Sequence, residues 1–118
     1  MQLIWSDVFA LTYESIQKLS NIVGVYRLYY ELPYDKNKIS VFYVGQGDLK
    51  TRLFNHIGSI EDNICIKSYI QKYPCYFRYA EVAGEQDRIN IERTLYEKFK
   101  PRCNLKIPEG NVIDINFV

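Results

Sequence analysis

Along the chain, runs of β-branched and aromatic residues alternate with stretches whose apolar positions recur every three or four residues. Ile22 to Leu32 reads as a strand by residue type. Its alternation sets Tyr26, Leu28 and Tyr30 on one face and Val25, Arg27 and Tyr29 on the other. Pro33 to Lys38 is turn chemistry, and Ile39 to Gly45 returns as a second strand. A hairpin folded about Tyr34 and Asp35 brings Tyr26 nearly opposite Tyr43, on the same side of the sheet. Gly45 and Gly47 then break the run, Asp48 offers an N-cap, and Leu49, Leu53 and Ile57 follow at helical spacing to about Gly58. Arg52 and His56, four apart, share a face of that helix.

Asn63 caps a second helical pattern through Ile64, Lys67, Ile70 and Lys72, ended by Pro74. Cys75 to Val82 looks like a third strand. A long helix runs from about Glu85 to Lys100 and stops at Pro101. Ile89, Leu95, Tyr96 and Phe99 form its apolar stripe, and Glu92 falls within that stripe. Near the start, Tyr13 to Leu19 gives one or two helical turns capped by Thr12. Asn111 to Val118 is expected as a terminal strand or an extended strap. The sum is an α/β (α+β) fold: a small central three-stranded, largely antiparallel sheet flanked by helices.

Composition narrows the class. The 118 residues suit a single domain, 1–118, with 47% hydrophobic and 25% charged residues, as in globular proteins and unlike disordered ones. No apolar run approaches the ~18 residues of a membrane span and no signal-peptide pattern opens the chain, so a cytoplasmic protein is expected. Cys65, Cys75 and Cys103 show no CxxC spacing, and His56 is the one histidine, so a structural zinc site is not expected. The three cysteines are expected to be reduced and partly buried. A net charge of +1 does not announce a nucleic-acid binder. However, Lys98, Lys100, Arg102 and Lys106 cluster without an intervening acid. This is either a basic face able to track phosphates or a solvated helix end favoured by the macrodipole.

Two tripeptides carry the most specific signal: Gly24-Val-Tyr26 in the first strand and Tyr43-Val-Gly45 in the second. With Arg52 and His56 in the next helix, Glu92 in the late helix and Asn104 beyond it, the ordered set resembles the GIY-YIG nuclease family over residues about 22 to 108. Singly, each position has a plain explanation. Tyr26 and Tyr43 are two of eleven tyrosines, Arg52 can pair with Asp48, and Glu92 can pair with Arg88. His56 can be a satisfied helix-end residue, Asn104 a loop cap, and Gly24 and Gly45 strand-end punctuation. The ordered set is what distinguishes the chain.

The resemblance implies a metal-dependent endonuclease that hydrolyses phosphodiester bonds of DNA, in preference to RNA, and leaves a 5′-phosphate and a 3′-hydroxyl. It implies that Tyr26, Tyr43, Arg52, His56, Glu92 and Asn104 form the site. Glu92 suits Mg²⁺ or Mn²⁺, hard cations that keep several waters and use few protein ligands. Arg52 can fork two donors onto phosphate oxygens. By the family's mechanism one tyrosine helps deprotonate the attacking water. Tyr26 is favoured, with His56 relaying the proton, Tyr43 at the phosphate and Asn104 orienting Glu92 or Tyr43. Because a free tyrosine titrates near ~10, a base role requires a neighbouring cation or hydrogen bond to lower it. Lys50, Lys98, Lys100, Arg102 and Lys106 are candidate DNA contacts.

Two departures stand out. Pro33 to Lys38 makes a longer hairpin loop than the most compact members have, and Gln46 follows the second motif where some members carry a lysine. With no recognition module in view, selectivity would need a homodimer or a separate targeting partner, in a bacterial, phage or mobile-element context. The alternatives are a nucleic-acid-binding module that keeps the fold but cleaves poorly, and a protein-interaction domain with a tyrosine-rich contact surface.

Overall fold

The computed structural model describes residues 1–118. In chain order the elements are β1 (Phe9–Ala10), α1 (Tyr13–Gln17), β2 (Val23–Leu32), β3 (Asp35–Asp48), α2 (Leu49–Ile57), α3 (Ile64–Lys72), β4 (Cys75–Glu81) and α4 (Glu85–Phe99). The strands form one antiparallel sheet in the order β1-β4-β2-β3. The three expected strands make up its body, and β1 adds a fourth too short to leave a pattern in sequence. No helix is long and apolar enough to cross a membrane.

Local chemistry starts three of the helices. Thr12, Asp48 and Asn63 each accept a backbone N–H two or three residues into α1, α2 and α3. The alternation of β2 sorts the core onto two faces. Tyr26 and Leu28 pack under Leu49, Leu53 and Ile66 from α2 and α3, together with Phe42 and Phe77. Val25, Val44 and Ala80 pack on the other face under Ile91 and Leu95 from α4. The buried stripe of α4 therefore runs through Ile91, Thr94 and Leu95, whereas Ile89 is only half-buried.

The hairpin is tighter and less regular than expected. Leu32 pairs with Asp35 across a turn at Pro33 and Tyr34, so Asp35 to Lys38 belong to β3 and not to a long loop. Two register irregularities follow, beside Leu32 and at Leu28/Tyr29. Together they shift the pairing well past a plain ladder, by three residues beside Leu32 and one at Leu28/Tyr29, so Tyr26 faces Gly45 and Tyr43 faces Leu28.

Asn111 to Val118 resolves as a strap without strand pairing. Asn116 holds it by exchanging hydrogen bonds with the backbone of Leu3, at 2.6 and 2.9 Å. The cysteine expectation fails at two positions: Cys65 and Cys103 form a disulfide, with 5.3 Å between their Cα atoms. Thirty-eight residues separate them in sequence, so only the docking of the post-α4 loop on α3 reveals the pair. Cys75 remains a free thiol.

Candidate active site

Gly45 is the pivot of the site. Directly across the ladder from Tyr26, it leaves room for the phenol to lie on the backbone; a Cβ there would stand 2.4 Å from the phenolic oxygen. Gly24 serves the sheet from the other side, since a Cβ on it would meet the Ala80 carbonyl oxygen at 2.2 Å. The bend at Gly47, with φ of +131°, turns the chain from β3 into α2. The stem of Arg52 runs over this bend.

With the strand pinned this way, α2 delivers His56 to Tyr26. The phenolic oxygen and Nε2 are 2.7 Å apart. The other ring nitrogen, Nδ1, lies 2.5 Å from the Glu61 carboxylate. Glu61 stands in the turn between α2 and α3, 9% exposed, and its second oxygen accepts the Asn63 backbone N–H at 2.9 Å. The sequence reading passes over Glu61. The one available signal was an acid five residues after a motif histidine, just beyond the helix-ending Gly58.

Tyr43 joins the same group. Its ring centroid is 6.2 Å from that of Tyr26 and 5.1 Å from that of His56. Arg52, Tyr43, His56 and Glu61 line a cavity of about 290 Å³. Tyr43 also lines a second cavity of about 320 Å³, with Glu92, Asn104 and Lys106. Although α4 covers the opposite face of the sheet, β3 is an edge strand, and Glu92 and Tyr43 line this one cavity. Asn104 closes the edge itself. Its side chain accepts the Val44 N–H and donates to the Val44 carbonyl, both at 2.9 Å, as a neighbouring strand would. Through these two bonds Asn104 steadies Val44, the strand residue after Tyr43.

Electrostatics bind the cluster together. Burial is the main cause that raises the Tyr26 phenol above its ordinary range. Tyr43 and Glu92 push the same way, and the Arg52 charge pulls down. Burial likewise raises Tyr43, again opposed by Arg52. The guanidinium in turn is held up chiefly by Tyr26. Desolvation lowers His56, against the upward pull of Glu61. Desolvation also carries the Glu92 carboxyl up to about 7, with Arg52 opposing.

Glu92 enters no salt bridge, and it lines its cavity together with Tyr43, Asn104 and Lys106. No group of three or more acidic, histidine or cysteine side chains converges there. The donor set fits a hard divalent cation that takes one carboxylate and keeps most of its waters, and it does not fit a fully protein-caged metal. Of the basic residues, Lys106 borders the Glu92 cavity and Lys50 lies in the first turn of α2. Arg102 is exposed beyond α4. Lys98 lies over Phe117, and Lys100 pairs with Glu97 at the far end of α4.

Over 87 residues, 73% of this chain, the sequence is 33% identical to UvrABC system protein C of Rickettsia rickettsii. The figures are the same for the proteins of that name from Rickettsia conorii and Rickettsia felis. The chain spans only 12% of the length of each of these relatives. No family model and no solved structure matches the chain.

Proposed function

We propose that this chain is a GIY-YIG-type endonuclease domain that hydrolyses phosphodiester bonds of DNA with the help of one divalent cation. The observation that carries this reading is convergence. Tyr26, Tyr43, Arg52, His56 and Glu92 come from four separate elements, yet they line or adjoin two neighbouring cavities and act on one another's charges. A mere aromatic contact surface would not bury a histidine, a glutamate and a phenol in one hydrogen-bonded chain. The likeness to a short stretch of UvrABC system protein C supports a module able to occur within longer chains.

In this reading Arg52 receives the scissile phosphate and neutralises the charge that grows on its oxygens. Glu92 holds the cation, Mg²⁺ or Mn²⁺, which supplies further charge neutralisation when bound. Tyr43, between the two cavities, hydrogen-bonds at the phosphate. Tyr26 takes a proton from the attacking water. Because burial favours its protonated form, it gives up its own proton in the same step, to His56 Nε2 at 2.7 Å. Asn104 keeps β3, and with it Tyr43, in place.

The test is incubation of supercoiled plasmid with Mg²⁺ or Mn²⁺ and the parent protein, Glu92→Ala or Arg52→Ala. Nicking by the parent alone supports the proposal. Binding without nicking favours a module that keeps the fold and does not cleave.

A further inference from the structure

We propose that Glu61 is a positioning residue, which fixes His56 in the one tautomer able to accept the Tyr26 proton; this deepens the nuclease reading and rests on it. The geometry leaves little choice of roles. A carboxylate is an acceptor, so at 2.5 Å the His56 Nδ1 must carry the hydrogen and donate it to Glu61. Neutral imidazole holds one hydrogen, so Nε2 is then a bare acceptor, and the Tyr26 hydroxyl donates to it at 2.7 Å. Without Glu61 the ring is free to carry its hydrogen on Nε2 and block the transfer. Glu61 is itself held, because its other oxygen is committed to the Asn63 N–H, and it is nearly as buried as His56, at 9% and 7% exposed.

The arrangement also balances the chemistry. A water proton moves to the Tyr26 oxygen as the Tyr26 proton moves to Nε2, so no free phenolate forms in a site that disfavours one. The resulting hydroxide bonds to phosphorus, the P–O3′ bond breaks, and O3′ takes a proton from solvent. The imidazolium, doubly donating, is stabilised by the Glu61 carboxylate until it releases its proton. His56 borders a further cavity on the α3 side, next to Lys67, which gives that proton an outlet. The charged or titratable groups around His56 are Tyr26, Tyr43, Arg52, Glu61, Asp62 and Lys67, with Glu92 acting on the tyrosines from α4.

His56 is the chain's one histidine, so its ring nitrogens are unambiguous in a long-range ¹H–¹⁵N spectrum of the labelled parent protein. The expected result is a protonated Nδ1 and a bare Nε2 at neutral pH; a protonated Nε2 overturns the assignment. That measurement needs no variant. In Glu61→Gln, checked for an intact fold by its melting curve, kcat on plasmid DNA is expected to fall about 10- to 100-fold with KM unchanged. The acid limb of its pH profile should move to lower pH, because the carboxylate that raises His56 is gone. Unchanged kcat, or a loss confined to KM, overturns the role. A parent that cuts no DNA overturns the nuclease reading, and this role with it. An active parent with an unimpaired Glu61→Gln overturns the Glu61 role alone.

Discussion

The ring of Tyr26 rests on Gly45, its direct partner across the β2–β3 ladder, so closely that no other residue can stand there without moving the phenol. Strand register and site geometry are thus one constraint. Gly45→Ala should push the Tyr26 oxygen away from His56 Nε2. A displacement of that kind costs about a hundredfold in rate. Overpacking should also lower stability by about 1–3 kcal/mol. Cleavage rates and urea melts of the variant check both numbers.

Asn104 acts through backbone. Asn104→Ala strips the Val44 N–H and C=O of their partners at the free edge of β3, at a cost of about 1–2 kcal/mol. Asn104→Asp keeps the acceptor and loses the donor, so its melting temperature should fall between those of the parent and Asn104→Ala.

Glu92 gives a pH signature in cation-free protein. Its folded value of about 7 lies well above the ordinary carboxyl value near 4.5, so the folded state prefers the protonated form. The group's contribution to stability is then present below 4.5 and fades as pH rises through 7. Glu92→Gln does not titrate. It should match the parent near pH 4.5 and exceed it in stability at pH 8, while abolishing cleavage. Parallel melts at the two pH values decide it.

Arg52→Ala should lower kcat roughly a hundred- to a thousandfold, the range for removing one donor to a developing oxyanion. Arg52→Lys should recover only part of this, because an ammonium keeps the charge and loses the planar fork. Single-turnover cleavage by the three proteins measures the split.

The Cys65–Cys103 link ties the start of α3 to the loop that carries Asn104. Reduction, or Cys65→Ser with Cys103→Ser, should cost about 2 to 4 kcal/mol through the freed unfolded chain. Melts with and without reductant read this out.

What the sequence made legible is what neighbours in the chain decide. The caps at Thr12, Asp48 and Asn63 and the stop before Pro74 each act within about one turn, so residue type sufficed. The faces of β2 followed from its alternation, which placed Tyr26 and Arg27 on opposite sides of the sheet. Hidden were the features made by distant segments. The register of Tyr26 on Gly45 depends on two irregularities in β3, and the two-residue strand Phe9–Ala10 exists only through its pairing with β4. Glu61 is distinguished from other surface acids only by being buried against His56, and Asn104 by reaching Val44.

The end chemistry of the cut strand tests the central claim most directly. Water attacking phosphorus with departure of O3′ leaves a 5′-phosphate beside a 3′-hydroxyl, which DNA ligase reseals without prior treatment of the ends. Plasmid nicked by the parent protein in Mg²⁺ or Mn²⁺ is predicted to close fully on ligation, and Glu92→Gln is predicted to leave it uncut. Absence of nicks with either ion, or nicks that ligase cannot seal, would contradict the account.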